Sequence, residues 1–182
     1  SEGQSKALDT IDQGLDVSDE HHLRCSNRYM FVTGKPGAGK SELLVHAAYR
    51  ATQKGHYVLI LCPTGTLVHA YRDRLPETDR IVVETIHSSF CITRLNDALV
   101  QYSPPTRLRR YDLILLDEAS QVEDHVAHKI VMAIQELPQR RFVCVCADFA
   151  QLRPITGGDT MLRFCNELMR IELDTIYRTS DA

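Results

Sequence analysis

One run of residues in this chain can hold a phosphate group. Gly34, Lys35, Pro36, Gly37, Ala38, Gly39, Lys40 and Ser41 fit the pattern GxxxxGK[ST]. Small residues let such a loop wrap closely around an anion, with its backbone N–H groups turned inward at the oxygens. A helix beginning near Lys40 adds the positive end of its dipole. The Lys40 ammonium is placed to neutralise phosphate charge, and the Ser41 hydroxyl is a hard oxygen ligand suited to Mg²⁺. The candidate phosphate-binding set is therefore Gly34, Pro36, Gly37, Ala38, Gly39, Lys40 and Ser41, with Glu42 beside them in the first helical turn. No GxGxxG can be read from the loop, which excludes a dinucleotide fingerprint.

A second set lies far along the chain. Asp117 ends the apolar run Leu113, Ile114, Leu115, Leu116. As the last residue of a buried strand it stands at the carboxyl edge of a sheet, beside the phosphate loop, where it can hold Mg²⁺ through water. Glu118, one residue on, can orient and deprotonate an attacking water. A lone acidic pair at a strand end is usually just solvated. With a phosphate loop upstream it points to hydrolysis of ATP, with Ser41 and Asp117 as the metal set. His125 and His128 lie three apart on a predicted helix, but no third ligand is evident, and they read as a polar helix face. Arg107, Arg109 and Arg110 read as a solvated basic run.

The elements that must position these groups alternate between strand-like and helix-like segments. Ala7, Leu8, Ile11 and Leu15 fall at helical spacing. Tyr29 to Thr33 reads as a buried strand entering the glycine loop. Lys40 to Gln53 follows as a helix with Leu43, Leu44, Ala47, Ala48 and Ala51 on one face and Gly55 past its end. Further strands are predicted over Tyr57 to Cys62, Arg80 to Glu84, Tyr111 to Leu116, Arg141 to Ala147 and Arg170 to Leu173. Helices are predicted over Thr66 to Arg74, Ile86 to Leu99, Val122 to Leu137 (closed by Pro138) and Asp159 to Leu168. Tyr102 to Arg110 reads as a loop. This order, with continuous apolar strands, implies an α/β fold: a mainly parallel sheet with helices on both faces.

Composition agrees. A chain of 182 residues, 43% hydrophobic and 25% charged, corresponds to one domain at roughly 150 residues per domain, with no internal linker. Lys+Arg 21 against Asp+Glu 24 gives a net charge of -3, which excludes binding of nucleic acid by bulk positive charge alone. The six cysteines, Cys25, Cys62, Cys91, Cys144, Cys146 and Cys165, form no CxxC pair. Most sit among apolar residues, so they read as reduced, buried thiols of an intracellular protein rather than a zinc site. The polar N-terminus is no signal peptide, and the apolar runs are too short to span a membrane. The expected compartment is nucleus, cytoplasm or an organelle matrix such as that of the mitochondrion.

The motifs, taken in order, resemble those of superfamily 1 helicases, most closely the RecD- and Pif-type subgroup. The stretch from Leu115 to Val122 is similar to that subgroup's DEAS form of the second motif. Ala147, Asp148, Gln151, Leu152 and Pro154 resemble GDxxQLxP, with Ala147 where glycine is usual. Thr85, Ile86, His87, Ser88 and Phe90 resemble T-[IL]-H-S-F, and Pro63, Thr64 and Gly65 resemble PTG. The resemblance runs from Gln4 to Arg178. It implies a RecA-like P-loop NTPase fold, with ATP and Mg²⁺ as cofactors.

It also implies roles that the chemistry supports. Gln4 reads the adenine edge through its amide. Gln151, following a strand that the family's sheet order puts between those ending at Gly34 and Asp117, senses the γ-phosphate. Arg178 reaches that phosphate with a permanently charged fork of donors. Asp148 reads as structural, or as a partner for the water network. Thr64, Gly65 and His87 contact a single strand of DNA, whereas Phe90 reads as core. Ala147 is expected to crowd a turn that glycine would relax. The implied activity is translocation on single-stranded DNA, 5′-to-3′, coupled to ATP hydrolysis. A complete motor also needs a second RecA-like domain, and residues 1–182 supply only the N-terminal one. A weakly active fragment that unwinds nothing is therefore expected. Alternatives are an RNA helicase of the surveillance type, suggested by Gln121, a P-loop ATPase without nucleic acid, and a non-catalytic nucleotide- or nucleic-acid-binding fragment.

Overall fold

The computed structural model describes residues 1–16, 28–95, 98–101, 106–138, 141–150 and 158–174. Its elements run α1 Glu2–Asp16, β1 Tyr29–Gly34, α2 Lys40–Gln53, β2 Val58–Cys62, α3 Gly65–Arg74, β3 Ile81–Thr85 and α4 Ile86–Ser89. A short pair follows, β4 Thr93–Leu95 and β5 Ala98–Gln101. Then come β6 Leu113–Leu116, α5 Asp124–Gln135, β7 Phe142–Ala147, α6 Thr160–Asn166 and β8 Met169–Leu173, with single 3₁₀ turns at Thr106–Arg110 and Ala119–Gln121.

The main sheet has strand order β3-β2-β6-β7-β1-β8, and every pairing in it is parallel. Strands as apolar as Val58–Cys62 and Phe142–Ala147 are covered on both sides, and their side chains divide by twos. Met30, Val32, Ile60, Cys144 and Cys146 enter one core with α1, α2 and α3. Phe31, Leu59, Leu61, Val143 and Val145 enter the other, with α4, α5 and α6. The α/β class and the two covered faces expected from the sequence are both present. On α2, Leu43, Leu44, Ala47, Ala48 and Ala51 are the buried stripe, each leucine contributing about 2 kcal/mol by leaving water.

Close packing and ion pairs seat α1 against the sheet and against α2. A Cβ on Gly14 would stand 2.4 Å from the Phe142 ring, so the glycine lets α1 lie flat on the sheet. Arg50 of α2 pairs with Asp12, and Lys54 lies 2.8 Å from Asp16, which aligns the two helices.

One expected element is wrong. The predicted helix from Ile86 to Leu99 is a single turn, Ile86–Ser89, followed by the antiparallel pair β4 and β5. Cys91 takes a positive φ of 52°, and Ile92 N donates to His87 O at 2.9 Å, so the chain reverses there. Burial of Phe90 and Ile92 in the second core drives the reversal, and β-branched Ile92 and Thr93 favour extended backbone beyond it. Part of the expected loop, Thr106–Arg110, is a 3₁₀ turn that buries Leu108. Arg107 is not merely solvated, because it lies 3.1 Å from Glu84 and donates to Ser88 O at 3.0 Å. Cys91 is exposed, against expectation, whereas Cys62, Cys144, Cys146 and Cys165 are buried. Ala147 lies in β7 without a positive φ, so no crowded turn arises there. No described helix is long and apolar enough to cross a membrane.

Candidate active site

The strand order decides what meets. The chain leaves β1 for β2 and β3 on one side, then returns to insert β6 and β7 between β2 and β1. The carboxyl end of β6, with Asp117 and Glu118, thus lies one strand away from the loop after β1. This reversal is where open α/β sheets build ligand crevices. The intervening strand is β7, which leads toward Gln151. Gln151 and Arg178 themselves lie outside the described residues, as do Cys25, Leu152 and Pro154.

The loop from Gly34 to Gly39 is held by its glycines. Gly37 and Gly39 take φ of 81° and 91°, a left-handed backbone that glycine adopts without penalty. A Cβ on Gly34 would stand 2.7 Å from Leu173 O and 3.1 Å from Ala38 Cβ, so only glycine fits between loop and β8. Gly34 and Ala38 form the buried foot of the loop. Pro36, Gly37, Gly39, Lys40, Ser41 and Glu42 line an open cleft of about 810 Å³, together with Gln4, His46, Arg74 and Glu118. That volume suits a nucleotide-sized ligand. Lys40 Nζ arches over the loop, donating to Gly34 O and, at 3.2 Å, to Lys35 O. Gln4 Nε2 donates to Gly39 O at 3.2 Å, so α1 delivers its amide to the cleft.

The acidic pair is strongly conditioned by its surroundings. Asp117 is only 2% exposed. Its Oδ2 accepts from the Tyr71 hydroxyl, and its Oδ1 accepts from Glu118 N at 2.8 Å. Burial pushes its carboxyl above the ordinary range, partly offset by these two donors and by the Lys40 charge. Glu118 is also raised, first by burial and then by the Asp117 charge. Its backbone is left-handed, φ 50° and ψ 41°, which costs a non-glycine residue about 1–2 kcal/mol. That conformation turns its side chain to the cleft while Asp117 stays underneath. Burial, reinforced by Asp117, pushes the Tyr71 phenol far above its usual value, so it remains a donor. Among the buried thiols, Cys62 is pushed up to about 12 by burial and the nearby Asp117 charge, which keeps it protonated and unreactive.

The donor set fits Mg²⁺. Ser41 lines the cleft in the first turn of α2, and Asp117 is held beneath it by the Tyr71 hydroxyl, so a hydroxyl and a carboxylate, both hard oxygens, are on hand. Among the described residues no group of three or more His, Cys, Asp or Glu could hold a metal.

The residues assigned to nucleic acid lie apart from this cleft, at the carboxyl ends of β2 and β3. Thr64 is exposed and caps α3, its Oγ1 accepting from Leu67 N at 3.3 Å. Gly65 faces open space, and His87 is half-buried on α4. Phe90, 0% exposed, belongs to the core. Asp148 Oδ1 accepts from Ala150 N at 3.0 Å, a turn-forming contact. His125 and His128 are exposed beside Glu123 and Asp124. Sequence reasoning misses Tyr71, His46 and Arg74. Tyr71 looks like one more apolar helix position, and the other two belong to no motif.

Known proteins share this fold. The profile of the AAA domain family matches residues 19–182. The chain belongs to that family. This AAA domain is 27% identical over 158 residues to the ATP-dependent RecD2 DNA helicase of Deinococcus radiodurans, covering 84% of the chain but 20% of that relative. Among solved structures it is similar to Pif1 helicase from Candida albicans, with a TM-score of 0.65, 22% identity, and coverage of 100% of this chain and 41% of that one. It is also similar to Bacteroides Pif1 in complex with ADP-AlF4, with a TM-score of 0.60, 21% identity, and coverage of 99% and 43%. These relatives are of the RecD and Pif kinds to which the motifs point. The AAA domain spans about a fifth of the length of that curated relative.

Proposed function

We propose that this chain is the N-terminal RecA-like motor domain of a DNA helicase, binding and hydrolysing Mg·ATP to translocate 5′-to-3′ on single-stranded DNA. The observation that carries the reading is the meeting of Lys40, Ser41, Glu118 and Gln4 on one cleft, with Asp117 beneath it. In this reading the loop N–H groups and the Lys40 ammonium grip the β- and γ-phosphates, and Gln4 selects adenine. Ser41 and Asp117 would hold Mg²⁺, which when bound would supply positive charge against the phosphates. Glu118 orients a water and takes its proton as the water oxygen bonds to the γ-phosphorus, and the bond to the β-phosphate oxygen breaks to leave ADP. Gln151 and Arg178 act at the γ-phosphate. Thr64, Gly65 and His87 hold the DNA strand, and a second RecA-like domain supplies the opposing arginine, worth about 10³–10⁵ in rate in related phosphate chemistry. Likeness to RecD2, a DNA helicase, supports DNA over RNA.

The test is calorimetry with Mg·ATP on the wild-type chain and on Lys40→Ala. Wild type is expected to release binding heat, and the variant to bind at least about tenfold more weakly with an unchanged melting temperature. Equal heats for both chains defeat the proposal. Competition between single-stranded DNA and RNA for stimulation of ATP hydrolysis, in a longer chain bearing both RecA-like domains, decides the substrate.

A further inference from the structure

The buried tyrosine under the acidic pair takes no step in the hydrolysis. Tyr71 sits in the last turn of α3 and is 1% exposed, with its ring packed in the core shared by α2 and the sheet. Its only side-chain polar atom points at the site, donating to Asp117 Oδ2. A phenylalanine would fill the same volume with no hydroxyl to desolvate, so packing alone does not account for the phenol. The helix that carries it is braced on two sides. Arg72 Nη2 donates to Val83 O at 2.8 Å, and Arg74 lies 2.8 Å from Glu42 on α2.

We propose that Tyr71 is a positioning residue for Mg²⁺ binding, its phenol fixing the orientation of the Asp117 carboxylate. With Oδ2 held by the phenol and Oδ1 by Glu118 N, the carboxylate is fixed at both oxygens, and each oxygen keeps capacity for a further partner such as a metal ion. Outer-shell donors of this kind orient metal ligands and typically change affinity about 10–100-fold when removed. This inference rests on the proposed Mg·ATP reading and extends it to a residue that touches neither nucleotide nor metal.

Tyr71→Phe in the whole chain tests it. ADP affinity is measured by calorimetry in EDTA and then across a Mg²⁺ titration, and Mn²⁺ binding in the ADP complex is followed by electron paramagnetic resonance. The expected result is an unchanged affinity in EDTA, with about tenfold more Mg²⁺ or Mn²⁺ needed for half-saturation. Tyr71→Met, another apolar filler without a donor, is expected to behave alike and serves if Tyr71→Phe does not fold. An unchanged metal requirement overturns the inference, as does an equal loss of ADP affinity in EDTA, which marks a merely structural residue. Absence of any Mg²⁺-dependent nucleotide binding in the wild-type chain overturns the Mg·ATP reading itself, and the inference with it.

Discussion

Glu118 combines a left-handed backbone, a side chain on a cleft, and a carboxyl raised by burial and by a neighbouring carboxylate. A raised carboxyl is a stronger base once ionised, and it ionises at higher pH than a free glutamate. The kcat/KM for ATP is therefore expected to climb with pH through that raised value, above the ordinary range, rather than to be flat from about pH 4 to 5 upward. Glu118→Gln is expected to keep Mg·ATP binding while turnover falls by about 10²–10⁴-fold and the pH limb vanishes. A calorimetric titration beside a pH series of steady-state rates reads both effects. Loss of binding together with turnover would instead make Glu118 a ligand-holding group.

At the level of elements, the departure of Ile86 to Leu99 from a helix has a concrete cause. Ile86 and Phe90 share helical spacing, but Ile92 also has to reach the second core, and it does so only after the chain turns at Cys91. Asn96 and Asp97, between two segments able to form strands, were the available signal of a turn. Phe90, inside the stretch that resembles a nucleic-acid motif, is the anchor of this turn. Phe90→Ala is expected to cost about 3–5 kcal/mol by opening a cavity, and Phe90→Leu less than about 1.5 kcal/mol, both read from denaturant melts. A small effect of the alanine variant would mean that the ring does not anchor the core. By contrast α2, α3 and the sheet strands were legible to within a residue or two. Their continuous apolar runs and five-residue buried stripe leave one compatible pattern of burial.

For the whole molecule, the site carries a stability cost that pH reveals. Burial raises Asp117 above a free aspartate, so between those two values the folded chain holds a proton that the unfolded chain has released. This contribution to stability is fully present below the ordinary carboxylate value and is lost as pH rises through the raised one. In the absence of metal at neutral pH, Asp117→Asn removes a buried charge. It is expected to raise the melting temperature by a few degrees, for each ~1 kcal/mol relieved, while weakening Mg²⁺-dependent nucleotide binding. Scanning calorimetry in EDTA at acid and neutral pH checks the sign, since the gain should shrink as the wild-type carboxyl becomes protonated. By itself the sequence determined the α/β class, the phosphate loop and the acidic strand end, because loop pattern and apolar runs are local and survive without knowledge of neighbours. That β7 separates the two halves of the site was already implied by the resemblance and is borne out by the tertiary structure. Only the tertiary structure decided that α1 carries Gln4 onto Gly39, and that Tyr71, His46 and Arg74 join the cleft or its floor. Strand order and helix packing bring those groups together across distances in the chain that leave no periodic trace, so their partnership exists only once the sheet has formed.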